Sequence, residues 1–350
     1  MKNTLTLFAA TLALAACNPA SQTSDSASAE SEGRVVNVYS ARHYSSDAVV
    51  YAAFTEATGI EINLIEARGD QLIERIRADG ERSPADVIVT VDAARLHRAE
   101  EAGLFAQSDY SEFADRLPDH LIHPQGYWVG VAQRSRVIAY SNERVQDGEI
   151  TTYADLADER WNGRICVRSS GSVYNQSLLA SIVAHEGEEA AEAWAQAIVN
   201  NMARAPQGGD RDQLRAIAAG ECDVAITNHY YFAMMANSNE PADQAVVEQT
   251  TLFFPNQDTT GAHMNVSGAG IALNAPHPDE AREFIAFLVS DEAQRIFAEM
   301  TNEVPAVPTA QWDNATLSAM MPFTQDDLEI AELGANNAIA QRIFDRVGWQ

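Results

Sequence analysis

Two α/β lobes joined by crossing strands, with a cleft between them, is the architecture this sequence predicts. Three observations carry it. Short apolar runs alternate with helical patterns from Val35 onward, and the same alternation returns in the middle of the chain. Two extended stretches, around residues 128–140 and 266–273, are placed to carry the chain from one half to the other. At 350 residues, 46% of them hydrophobic, the chain is long enough for two cores.

Residues 35–39 read as a strand, and Ser46 or Asp47 can cap the helix that follows. Val50, Phe54 and Ala57 recur there at helical spacing until Gly59 stops them. Ile60, Ile62 and Leu64 alternate as a second strand; Leu72, Ile73 and Ile76 mark a helix, and residues 86–90 a third strand. This βαβαβ rhythm predicts a mostly parallel sheet with helices on both faces. The style returns with a strand at 164–168, helices at 175–184, 188–201 (Trp194 inward) and 210–219, and a strand at 223–227. Residues 280–297 read as one amphipathic helix with Phe284, Phe287, Leu288 and Phe297 on its apolar side. From Thr324 the chain is expected to be helical. The implied division is an N-terminal lobe of 34–132 plus about 266–312, a C-terminal lobe of 133–265, and C-terminal helices at 313–350 packing on the body.

The start of the chain reads as an address label. Lys2 opens a stretch with an apolar centre from Leu5 to Leu14, a secretory signal over 1–16 that is too short for a stable membrane span. Leu14-Ala15-Ala16-Cys17 resembles the lipobox of bacterial lipoproteins, which implies cleavage before Cys17 and acylation of that residue. Ordinary cleavage a little further on is the alternative. Residues 17–33 then supply the acylated cysteine and a Ser-, Ala- and acid-rich tether of roughly 20–25 Å root-mean-square reach. Export leaves Cys166 and Cys222 as an even pair in an oxidising compartment. A disulfide between them would contribute on the order of 4 kcal/mol in the chain-entropy model; two buried free thiols are the alternative.

With 50 acidic against 23 basic residues the net charge is −27, which argues against a nucleic-acid partner, since that needs a basic face. Three loops at predicted strand ends carry the chemistry: Arg42, His43 and Tyr44; Ser169 to Tyr174; and Asn228, His229, Tyr230 and Tyr231. Strand carboxyl ends are where open α/β sheets bind ligands. A free phenol titrates near 10, but a hard trivalent cation displaces its proton and holds the phenolate. Clustered tyrosines with one imidazole therefore point to ferric iron, and away from calcium, which favours carboxylates and carbonyls. Each tyrosine alone is also a common core or rim residue. The pair Tyr230-Tyr231 is less ordinary, because strand neighbours face opposite ways and can meet one ion only where the backbone has left the strand. No glycine-rich phosphate loop, nucleophile elbow or His/Glu metal-hydrolase motif is present, so an enzyme is not expected.

Several stretches together resemble one family. They are 39–44 (Tyr-Ser-Ala-Arg-His-Tyr), 83–87 (Ser-Pro-Ala-Asp-Val), 90–93 (Thr-Val-Asp-Ala), 172–177 (Ser-Val-Tyr-Asn-Gln-Ser), 219–223 with Tyr230-Tyr231, and 267–270 (Ser-Gly-Ala-Gly). The chain resembles the periplasmic ferric-iron-binding proteins that feed bacterial ABC transporters, especially the tyrosine-rich type known from cyanobacteria and other bacteria. The resemblance implies a type II periplasmic-binding-protein fold, a permease and ATPase pair as partners, a periplasmic, membrane-anchored monomer, and hinge closure over one ferric ion. It assigns Tyr44, Tyr174, Tyr230 and Tyr231 as phenolate ligands and His43 as a ligand or neighbour. Some relatives add a synergistic carbonate or phosphate, for which Arg42, Ser170, Gly171 and Ser172 are the candidates. Related iron binders with fewer tyrosines use a carboxylate after the third strand; Asp92 stands near that place and is left out of the site. His229 departs from the expected small polar residue; it is read as an extra ligand, a donor to a ligand or a solvent-facing bystander, the last being favoured. The alternative cargo within this fold is a small organic solute, such as a phosphonate or a polyamine-like cation.

Overall fold

The computed structural model describes residues 33–42 and 44–350. The signal and most of the tether, with Cys17, and His43 lie outside the described residues. Among the described residues nine strands are present: β1 (Val35–Ser40), β2 (Glu61–Glu66), β3 (Val87–Val91), β4 (Val129–Ser141), β5 (Ile165–Cys166), β6 (Val224–Asn228), β7 (Thr250–Phe253), β8 (Met264–Ile271) and β9 (Val304–Pro305). Their order across the sheet is β2-β1-β3-β8-β4-β6-β5, with β7 and β9 also paired to β4.

The expected mostly parallel sheet is half right. β1 pairs in parallel with β2 and β3, and β5 with β6, as βαβ units require. The two longest strands run the other way: β8 is antiparallel to β3, and β4 is antiparallel to β6, β7, β8 and β9. Periodicity marks a strand but carries no direction, so the mixed sheet was not legible from the pattern. All 13 residues of β4 are buried. Its first half pairs with β8 and its second half with β6 and β7.

That strand runs between two hydrophobic cores. The first gathers Val36, Val38, Phe54, Leu96, Trp128, Val131, Phe284 and Phe297; the second gathers Ile138, Trp161, Leu178, Leu179, Trp194, Ile226 and Phe344. The C-terminal helices reach both, Ile330 and Leu333 in the first, Ile343, Phe344 and Trp349 in the second. The expected single helix at 280–297 is two, Pro278–Leu288 and Asp291–Thr301. Ser290 intervenes in an extended conformation, and its side chain accepts from the Ala293 N–H as an N-cap. The apolar periodicity runs across the break, which hid it.

Cys166 and Cys222 form a disulfide with Cα atoms 5.9 Å apart, fastening the end of β5 to the chain that enters β6. Among the described residues no helix is long and apolar enough to cross a membrane.

One buried titratable group sets a pH dependence on the fold. His263, just before β8, is 2% exposed, and burial, seconded by the nearby Arg136 and His185 charges, pushes its pKa down to about 3. The folded state therefore holds it neutral. Its contribution is complete above the unfolded value near 6.5 and is lost as pH falls from there toward 3. Denaturant titrations should show stability falling by about 2 kcal/mol between pH 6.5 and 5 from this group. In His263→Gln that part of the slope should be absent; an unchanged slope would refute the assignment.

Candidate metal centre

Of the four tyrosines, Tyr44 stands in an extended segment as expected, whereas the other three lie inside helices. Tyr44 is the N-cap of helix Ser45–Thr58, Tyr174 lies in the first turn of helix Val173–Glu186, and Tyr230 and Tyr231 lie in the first turn of helix His229–Ala236. β6 ends at Asn228 and the helix begins at the next residue, so the backbone leaves the strand just before the pair. Consecutive helical side chains diverge by about 100° rather than 180°, so both phenols can face one region. Three helix N-termini thus converge, and their positive dipole ends favour phenolate over phenol.

The hydroxyls and rings are close. Tyr230 Oη donates to Tyr174 Oη at 3.3 Å and accepts from Asn228 Nδ2 at 3.3 Å. Tyr44 meets Tyr230 edge-on with ring centroids 6.2 Å apart, and the Tyr230 and Tyr231 rings stand 4.4 Å apart. Burial and the neighbouring Tyr174 oxygen drive the Tyr44 and Tyr230 phenols well above their ordinary pKa, and the same causes put Tyr231 at about 12. Without a cation these are neutral phenols crowded together. A trivalent ion would invert that preference. Among the described residues no group of three or more His, Cys, Asp or Glu side chains is placed to hold a metal.

A shell of arginines surrounds the cluster. The Arg134, Arg136 and Arg168 guanidinium carbons lie 5.9, 5.9 and 5.5 Å from the Tyr174 ring centroid. Buried Asp210 bridges two of them, bonding Arg136 Nη1 and, at 2.6 Å, Arg168 Nη1. Arg136 also donates to Asn228 Oδ1 and Asn175 Oδ1. Arg134 donates to Ser267 Oγ at 2.9 Å, while its buried Nε and Nη1 make no hydrogen bond among the described residues. The arginines and Asp210 are not among the residues that the sequence pattern marked. The signal was there: arginines two apart inside an apolar strand share one face, and burying charge demands a reason.

Of the predicted anion residues, Arg42 is already committed. It donates to Asp47 at 3.0 Å and to both Glu303 oxygens at 3.2 and 2.8 Å, with its guanidinium 4.8 Å from the Tyr44 ring centroid. Ser170 N–H donates to the Gln350 carbonyl and Ser172 N–H to the Ser169 carbonyl, and Gly171 is exposed. Ser172 Oγ is buried without a partner among the described residues. His229 does not face solvent. It is fully buried, accepting from Ser135 N–H at Nδ1 (3.1 Å) and donating from Nε2 to the Asn302 carbonyl (2.8 Å), and burial keeps it neutral with a pKa of about 4. Its ring ties β4 to the chain before β9, a contact between segments far apart in sequence.

Residues 82–328 match the family described as bacterial extracellular solute-binding protein. The chain is 47% identical over 324 residues to iron uptake protein A2 of Synechocystis, covering 92% of both chains. It is 30% identical over 275 residues to the major ferric iron-binding protein of Neisseria meningitidis, covering 78% of this chain and 81% of that one. Among solved structures it is similar to a Trichodesmium protein in complex with iron and citrate ligands. There the TM-score is 0.87 and the identity 45%, over 90% of this chain and all of that one.

Proposed function

This chain belongs to the bacterial extracellular solute-binding proteins, and from that premise we propose that it captures ferric iron and delivers it to an ABC importer's permease and ATPase. The observation that carries this reading is the meeting of Tyr44, Tyr174, Tyr230 and Tyr231 at three helix N-termini, with one hydroxyl pair 3.3 Å apart. Ferric iron is the cation that suits such a donor set. His43 completes it as an imidazole donor. The two parts of the chain that pack on the first and second cores act as lobes that close over the ion, and an acylated Cys17 holds the monomer to a membrane from the periplasmic side.

A synergistic anion, carbonate in the simplest case, fits Arg134 better than Arg42. Arg42 donates from all three guanidinium nitrogens to two carboxylates, whereas the buried Nε and Nη1 of Arg134 and the Ser172 hydroxyl have no hydrogen-bond partner among the described residues. The Trichodesmium neighbour carries iron together with citrate, which makes ferric citrate the natural probe.

Titration of the purified protein with ferric citrate should give an orange-red phenolate-to-iron charge-transfer band that saturates at one iron per chain. Binding should release protons and tighten as pH rises, because every coordinating phenol must lose its proton. Thermal stabilisation by small organic solutes, with none from iron, would reverse the reading in favour of a phosphonate or polyamine binder.

A further inference from the structure

Asp92 occupies the place where a carboxylate ligand was conceivable, yet its oxygens are fully engaged. The residue is completely buried directly after β3, with φ at +84°, a left-handed conformation that an L-residue rarely takes without being held there. Oδ1 accepts from Ala94 N–H at 3.0 Å and Oδ2 from Asn265 Nδ2 at 3.0 Å. The Ser177 hydroxyl lies 2.9 Å from both oxygens. The Asp92 N–H in turn donates to the Val266 carbonyl on β8 at 2.8 Å. The carboxylate is therefore a fixed reference point, tied to β3, to the helix Ala93–Glu101 and to β8.

Ser177 is the one member of this group that belongs to the helix carrying Tyr174. It is fully buried, three residues further along Val173–Glu186, which puts both side chains on one face about 4.5 Å apart along the axis. Its neighbours Leu178 and Leu179 pack in the second core, whereas Val89, Ala93 and Leu96, around Asp92, pack in the first. The contact thus crosses from one core to the other just below the tyrosine cluster.

We infer that the Asp92–Ser177 hydrogen bond positions the Tyr174 phenol in the ferric site, Asp92 acting as an anchor for the helix and not as a ligand. This rests on the ferric reading above. Metal–ligand distances are set to within about 0.2 Å, so a helix that slides by a few tenths of an ångström against Tyr44 and Tyr230 spoils the coordination without unfolding anything. A buried hydrogen bond to a charged group is strong enough to hold that register.

The test compares Ser177→Ala and Ser177→Cys with Ser181→Ala, a buried serine on the same helix whose hydroxyl bonds the Leu178 carbonyl instead. Each full-length protein is loaded with ferric citrate, and two readouts are taken: the position of the charge-transfer band, and the rate of iron release to a competing chelator. Ser177→Ala should shift the band and release iron about tenfold faster. Ser177→Cys, a weaker donor of similar size, should fall between it and wild type, and Ser181→Ala should match wild type. Should Ser177→Ala fail to fold, the cysteine variant against Ser181→Ala carries the same comparison. A wild-type rate and band in the Ser177 variants, or an equal effect from Ser181→Ala, would overturn the anchor alone. A wild-type protein with no band would overturn the ferric reading and the anchor with it.

Discussion

The Tyr230→Phe, Tyr231→Phe double variant is expected to fold normally and to lose the visible band altogether. Both residues open the helix His229–Ala236, and phenylalanine keeps the ring volume that packs against Tyr44 and against the other ring of the pair. What disappears is two hydroxyl groups, and with them two of the four phenolates available to balance a trivalent charge. Removal of an outer-shell partner typically costs ten- to a hundredfold in metal affinity. Loss of two direct donors should therefore exceed about a hundredfold. The Asn228 amide loses its Tyr230 acceptor, a small penalty beside the relief of burying two fewer hydroxyls. Iron retained per chain after equilibration against graded citrate measures the change in affinity, and absorbance reports the band. Persistence of the band at wild-type intensity would remove these residues from the site.

Arg42→Met should strongly destabilise the fold. The guanidinium is 2% exposed and holds two buried carboxylates, Asp47 on one side and Glu303 on the other, with the Thr301 hydroxyl also donating to Glu303 at 3.0 Å. Removing one partner of a buried ion pair typically costs about 3–5 kcal/mol, because the charge left behind is desolvated and unpaired. A chain of this size would lose about 10 °C in Tm. In the native protein burial alone would raise the Glu303 pKa, but the Arg42 charge and hydrogen bonds, with the Arg134 charge and the Thr301 hydroxyl, together outweigh it and hold the carboxyl low. Its stabilisation is thus complete above the unfolded carboxylate value and fades as pH drops through the folded one. Without Arg42 burial prevails, the carboxyl prefers its proton, and the deficit should be greatest at neutral pH and shrink toward pH 4. Arg42→Met, Glu303→Leu should recover part of the loss. If Arg42 instead served an exchangeable anion, Tm would stay put and only the anion dependence of iron binding would change.

Much of this molecule was legible because its signals are local. Short apolar runs located β1, β3 and β6, alternation located β2, and Glu188–Asn201 lies within the residues that helical spacing marked. Parity and export brought Cys166 and Cys222 together. The convergence of Tyr44, Tyr174, Tyr230 and Tyr231 followed from their placement after strands, although the strand-end loops proved to be helix starts. What escaped notice depends on distant partners. His229 looks like an exposed polar letter until Ser135 and Asn302 close around it. Arg134 and Asp210 acquire meaning only beside tyrosines far away in the chain. Ser290 breaks a helix by a local hydrogen bond that an uninterrupted apolar stripe disguises.

A single strand common to both cores has a further consequence. β4 is covered along its whole length, and its two halves take their ladder partners from different ends of the sheet. Fraying of either end strips hydrogen-bond partners from a strand the remaining half still needs. Partial melting therefore gains little entropy for what it loses, and the two halves of the protein are bound to come apart cooperatively, in one event.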